Sequence, residues 1–297
     1  MSKDHIKTQI ETALPSDGLL ETAVPGVKLF RTSTPIPCAP AVYDPCIVAI
    51  VSGQKEAIFD GAHVVYDASR YMCCPISMPL QAGTPQASPE NPLMGVLISL
   101  DQRAMTELSI EIETAVGSLP STRTAPSARG VKLAQWDAAF TDALSRLVDL
   151  TARPNDAAIL GDARLRELYY AVFQGDAGIF ARQAFGTQNA ITRAIAHLST
   201  HLDGQTSIDD MAARAGMSRA VFHRKFKQAT AMSPIQFVKS LRLNNAAMKI
   251  AGGMTVNEAA FDVGYVSPSQ FSREFKRAYG QSPREWGDAQ HAPAGLV

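Results

Sequence analysis

Four cations near the C-terminus have the types and spacing to do chemistry. Arg224 and Lys227 stand three residues apart in Phe222-His-Arg-Lys-Phe-Lys227, and Arg273 and Lys276 do so in Phe271-Ser-Arg-Glu-Phe-Lys276. A guanidinium carries a planar donor fork that fits guanine O6 and N7, whereas an ammonium suits a phosphate oxygen. The flanking phenylalanines are four apart in both segments, so on a helix they share one face and leave Arg224, Lys227, Arg273 and Lys276 to project elsewhere. Such cations need two helices that present them side by side.

The elements that would do this are repeated. Met217-Ser-Arg-Ala-Val-Phe-His-Arg-Lys-Phe-Lys227 recurs as Val266-Ser-Pro-Ser-Gln-Phe-Ser-Arg-Glu-Phe-Lys276 at a register of 49 residues. Upstream of each lies one apolar stripe of helical period, Ile208, Met211, Ala212 and Ala215 in the first copy and Val256, Ala259, Ala260 and Val263 in the second. Ser207 or Thr206, and Thr255, can cap these helices; Gly216 and Gly264 follow their ends; Ser218 and Ser267 can cap the helices after the turns. The order helix, glycine turn, capped helix predicts two helix-turn-helix units, over about 206–228 and 255–277.

Their expected DNA-facing residues are Ser218, Arg219, Ala220, His223, Arg224 and Lys227, then Ser267, Ser269, Gln270, Ser272, Arg273 and Lys276. Between the units, Ser233-Pro234 reads as a cap followed by proline at the first helical position, opening a helix to about Ala251 with Leu243, Ala246, Ala247 and Ile250 as its buried stripe. Ala231 stands where the second copy has Gly280, so either that turn differs or the first unit tolerates a left-handed alanine, at about 1 kcal/mol.

These segments resemble the AraC/XylS family of bacterial transcription regulators. The similarity runs from about Asn189 to Trp286 and rests on Met217-Ser218, Phe222 to Lys227, Ser233-Pro234, Arg242-Leu243, Gly264-Tyr265 and Ser269 to Lys276. It implies two helix-turn-helix units joined by a long helix, double-stranded DNA as partner, and activation through contact with RNA polymerase.

Upstream, short apolar segments alternate with turn residues at Val27–Phe30, Cys46–Val51, Glu56–Phe59, His63–Tyr66, Tyr71–Pro75 and Leu93–Leu100. This predicts a small antiparallel barrel or sandwich, with Pro37, Pro40, Pro45, Pro75, Pro79, Pro85, Pro89 and Pro92 in irregular connections. Val24-Pro-Gly-Val27, Tyr43 to Lys55 and Tyr66 to Tyr71 are similar to the N-terminal domain of one AraC-type subgroup, which implies a cupin-like barrel holding a small-molecule effector. Tyr43, Cys46, Tyr71, Cys73 and Met78 are the expected pocket lining. The fold class is therefore α+β, a cupin-like antiparallel barrel with helices followed by an all-α DNA-binding domain.

The expected domains are an N-terminal segment 1–23, the barrel 24–116, a helical dimerisation or linker region 131–186 and the DNA-binding domain 187–287. Within the third, Val131–Leu150 reads as one helix, Asn155-Asp156 as the cap of a second, and Gly175–Gly186 as the linker, after a loop over Gly117–Gly130. The two helices suit packing on the barrel or pairing in a homodimer.

Net charge is zero, but residues 1–189 hold 15 Lys and Arg against 20 Asp and Glu, and residues 190–297 hold 13 against 8. The basic balance falls where DNA would bind. No apolar run reaches the length of a membrane span and the N-terminus does not read as a signal peptide, so a cytoplasmic protein with no membrane partner is expected. His63 is the lone histidine of the barrel segment and no His-x-His pair is present, so neither a catalytic metal, another cofactor nor an enzyme is expected. Cys38, Cys46, Cys73 and Cys74 match no zinc spacing; they read as packed thiols, with a redox- or aldehyde-responsive cysteine as the alternative.

Overall fold

The computed structural model describes residues 2–59, 61–116, 130–186, 190–202 and 207–290. Thr206, Asn189 and all but the last residue of the loop expected over 117–130 lie outside them. Among the described residues the chain forms helix α1 (Lys3–Ala13), nine strands β1 (Gly18–Glu21), β2 (Val27–Thr32), β3 (Ile36–Tyr43), β4 (Cys46–Ser52), β5 (Gln54–Phe59), β6 (Ala62–Asp67), β7 (Arg70–Cys74), β8 (Met78–Thr84) and β9 (Leu93–Ser99), then α2 (Gln102–Val116) and β10 (Lys132–Gln135). Helices α3 (Ala138–Val148), α4 (Pro154–Gln174) and α5 (Gly178–Phe185) close the N-terminal half.

The strands build two antiparallel sheets, one in the order β1-β2-β9-β4-β7-β10 and one in the order β3-β8-β5-β6. The larger sheet is apolar on both faces. From β4, Cys46, Val48 and Ile50 point into the space shared with the smaller sheet, while Ile47, Ala49 and Val51 point to the other side. There Ile6 and Ile10 of α1, Phe140, Leu144 and Leu147 of α3, and Leu168, Val172 and Phe173 of α4 bury them. The N-terminal segment is thus part of this core.

Three expectations change. Residues 132–135 form β10 against β7 rather than the first turn of a helix; α3 begins at Ala138, where the Asp137 carboxylate accepts from the Phe140 N–H. Leu133 fits a helical phase, but strand alternation sends it to the barrel interior and Ala134 to the helical layer. The linker expected over Gly175–Gly186 holds α5, whose Ala181, Ala184 and Phe185 complete the helical core, with Phe180 packed against it. Finally, Pro37, Pro40 and Pro79 lie inside β3 and β8, not in irregular connections. β3 is a sheet edge with a register shift between Ile36 and Ala39, and an edge strand tolerates proline because its outer N–H groups need no ladder partner.

The C-terminal half is helical: α6 (Ala190–Thr200), α7 (Ile208–Arg214), α8 (Arg219–Thr230), α9 (Pro234–Ala251), α10 (Val256–Asp262), α11 (Pro268–Tyr279) and α12 (Pro283–Gln290). Capping boxes open α7 (Ser207 with Asp210), α9 (Ser233 with Gln236) and α10 (Thr255 with Glu258), each satisfying two otherwise orphaned N–H groups. Ser267 accepts from the Gln270 N–H, while Ser218 occupies the N-cap of α8 without a side-chain bond. The expected stripes are buried: Phe222 and Phe226 with Met211, Ala212, Phe237 and Leu241, and Phe271 and Phe275 with Leu243, Ala247, Ala260 and Trp286.

Candidate nucleic-acid interface and its contact with the barrel

Both second helices end in the left-handed region. Ala231 has φ 64° and Gly280 φ 78°, so the first unit keeps the turn of the second and carries the alanine strain. The turns before α8 and α11 also match, with φ 64° at Gly216 and 84° at Gly264. They differ in crowding: a Cβ on Gly264 would lie 2.5 Å from the Leu202 carbonyl oxygen and 3.0 Å from the Arg242 guanidinium, whereas one on Gly216 would meet nothing within 4 Å. Arg242 of α9 also donates to the Gly264 carbonyl at 3.4 Å, tying the connecting helix to the second turn.

At 100° per residue, Ala220, Arg224 and Lys227 fall on the side of α8 opposite Phe222 and Phe226, and all three are exposed. Ser269, Arg273 and Lys276 occupy the same positions on α11 and are exposed as well. Ser218 and Gln270 are exposed, while His223, Ser267 and Ser272 are half-buried at the flanks. Arg219 instead turns back to Asp209 at 3.2 Å, an exposed pair weak enough for a phosphate to displace. Lys225 and Arg277, which the repeat does not single out, are exposed on α8 and α11 away from the centre of these faces. The one acid of the second helix core segment, Glu274, is held inward by Lys239 at 3.1 Å and by the Tyr265 hydroxyl at 3.0 Å. Those bonds hold its carboxyl below the ordinary range against the opposing effect of burial.

Connecting helix α9 does more than join the units. The Asn244 amide donates to the carbonyls of Ala41 on β3 at 2.8 Å and Leu80 on β8 at 2.7 Å, and its oxygen accepts from the Tyr279 hydroxyl of α11 at 2.5 Å. Two donors on two carbonyls and one acceptor on one hydroxyl define the amide orientation. The Val42 N–H donates to Met248 Sδ at 3.2 Å one turn further along α9. One buried side chain therefore binds both sheet strands to the connecting helix and to the second reading helix. Nothing in the repeat points to Asn244; the available signal was an asparagine next to the buried stripe at Leu243, Ala246 and Ala247.

Of the expected pocket residues, Tyr43, Cys46 and Met78 line the interior between the sheets. Tyr71 and Cys73 do not: they face the helical layer, where the Tyr71 ring stacks on Phe140 at 3.9 Å between centroids. Alternation along β7 holds, but Met72 and Cys74 are the inward pair. Burial pushes Cys46 and Cys73 up to about 12 and Cys74 well above its ordinary value, and desolvation also raises half-buried Cys38. Among the described residues no three His, Cys, Asp or Glu side chains are grouped to hold a metal, and no helix is long and apolar enough to cross a membrane.

Comparison with known proteins agrees with this geometry. Residues 23–179 match the family model described as the AraC-type transcriptional regulator N-terminus, and residues 211–289 match a helix-turn-helix domain. The regulatory protein SoxS of Escherichia coli K12 is 30% identical over 100 residues, which is 33% of this chain and 94% of SoxS. The transcriptional regulator MtrA of Neisseria gonorrhoeae is 38% identical over 85 residues, 28% of either chain. The chain thus spans less than a third of MtrA's length. ToxT from Vibrio cholerae, solved with an unsaturated fatty acid bound, superposes with a TM-score of 0.56 at 12% identity, covering 95% of this chain and 99% of ToxT, a likeness of fold.

Proposed function

Because the chain belongs to the AraC-type transcriptional regulators and binds DNA through its helix-turn-helix domain, we propose that a small molecule between the two sheets switches how that domain meets its operator. The observation that carries this is the Asn244 junction. Ala41 and Leu80, whose carbonyls Asn244 holds, are Cα partners across β3 and β8, and the next inward pair along the same strands is Tyr43 and Met78. A ligand that moves Tyr43 or Met78 therefore acts two residue pairs from the bond that ties the barrel to α9 and α11.

A switch requires the ligand to prefer one of two arrangements; equal binding to both would shift nothing. In this reading the two states are Asn244 bonded to the strands, as in the structure, and Asn244 released from them. That ToxT, similar in fold, has a fatty acid bound supports reading this chain as one that takes a small-molecule ligand. Activation through RNA polymerase, a homodimer formed through α3 and α4, and a cytoplasmic, non-enzymatic protein belong to the same reading. The cysteine-based alternative finds no support in four thiols whose acidity burial suppresses.

The test is Asn244→Ala. Operator binding by the purified variant should no longer respond to an inducer that shifts wild-type affinity or footprint, because the strands and α9 have lost their shared bonds. A full response in the variant would refute coupling through this junction.

A further inference from the structure

Lys55 occupies an inward position on β5. It shares strand parity with Ala57 and Phe59, which are buried in the barrel interior, and lies directly opposite Tyr66 in the β5–β6 register. Glu56 faces the other way and is taken up by His63 at 2.7 Å. Among the described residues no carboxylate pairs with Lys55; its ammonium instead sits 5.5 Å from the Tyr43 ring centroid and 5.8 Å from that of Phe30. Close by, the hydroxyls of Tyr66 and Tyr43 are buried in side chains only 2% and 7% exposed, near enough to interact with each other but with no other hydrogen-bond partner among the described residues. Two hydroxyls facing only each other can pair at most one of their two protons, and a buried donor left unpaired costs about 1 to 3 kcal/mol.

We infer that this end of the barrel binds a small carboxylate with an apolar body. The carboxylate would accept from the ammonium of Lys55 and the hydroxyls of Tyr66 and Tyr43, and the body would rest among Phe30, Cys46 and Met78. A charged acceptor satisfies all three donors at once, which an alcohol of the same shape does not. Burial raises the Tyr66 hydroxyl far above its ordinary value, so it stays protonated and able to donate. The inference rests on the barrel being the effector domain, as proposed above, and adds the chemistry of the effector.

Calorimetric titration of the full chain with benzoate and hexanoate, against benzyl alcohol and hexan-1-ol, tests it. Both carboxylates should saturate and the alcohols should bind more weakly. Lys55→Met, which keeps the stem and removes the charge, should weaken carboxylate binding about tenfold or more and leave the alcohols unchanged. Tyr66→Phe should weaken it severalfold, with an unchanged unfolding midpoint showing that the barrel is intact. Carboxylates that fail to bind at millimolar concentration, or that bind Lys55→Met as tightly as wild type, overturn the assignment. Operator affinity in the same samples separates the two claims. An uncharged compound that binds the barrel and shifts operator affinity removes the ligand class but leaves the switch standing. A carboxylate that binds through Lys55 without moving operator affinity removes the switch but leaves the site.

Discussion

Arg224 and Arg273 stand at equivalent exposed positions of α8 and α11, and we propose that each reads a base edge rather than only adding charge. Replacing either by alanine should cost about 1 to 3 kcal/mol at the specific operator and little on random DNA, measured by competition binding. Equal losses on both DNAs would reassign the arginine to the backbone. Ala231 offers a test with the opposite sign. Its φ of 64° strains a side chain that gains nothing there, so Ala231→Gly should raise stability to chemical denaturation by about 0.5 to 1 kcal/mol, net of the extra unfolded-state freedom of glycine. An unchanged or lower midpoint would mean that the turn is not strained. The thiols make a third residue-level case. Cys46 and Cys73 are buried and burial pushes both thiols up to about 12, so iodoacetamide should spare them in the native chain and label them after unfolding. Rapid native labelling of either would restore the reactive-cysteine reading.

At the level of elements, what could be read from the residues was whatever local chemistry dictates. Ser207, Ser233-Pro234 and Thr255 cap where their side chains can reach an N–H three residues on, and the α9 boundaries follow directly from a proline start and a glycine stop. Elements decided by their surroundings were less legible. β7 is buried on both faces, so Tyr71, Met72, Cys73 and Cys74 are all apolar and hydrophobicity does not say which pair looks inward. β3 carries Pro37 and Pro40 at a sheet edge, and Pro79 of interior β8 lies beyond the residues that pair with β5, so neither strand loses a ladder bond that local sequence would foresee. Asn244 could not be recognised because its partners are carbonyls 164 and 203 residues away in sequence. The two glycine turns, alike in sequence, separate only in three dimensions. Gly264→Ala must push against the Leu202 carbonyl and Arg242 and should destabilise the protein by well over the roughly 1 kcal/mol of left-handed strain expected for Gly216→Ala. Equal losses in denaturation would show that the crowding at Gly264 relaxes freely.

Across the whole molecule, the two halves are not separate bodies on a string. Apolar contact runs without a break from Phe30, Met72 and Leu80 in the barrel to Phe222 and Phe226 in the first reading unit and Leu241 on α9, while the second unit keeps its own core, touched from the barrel by Ala39. The second unit is therefore joined to the rest chiefly through α9 and the Asn244 bonds. Asn244→Asp probes this arrangement, because its carboxylate would lie against the Ala41 and Leu80 carbonyls, which donate nothing, while the Tyr279 hydroxyl could still donate to it. The expected calorimetric result is a second-unit transition that moves to lower temperature and separates from a main transition carrying the barrel with the first unit. A single transition at the wild-type temperature would mean that Asn244 contributes nothing to holding the halves together, and the path by which a barrel ligand reaches α11 would have to run through the first unit instead.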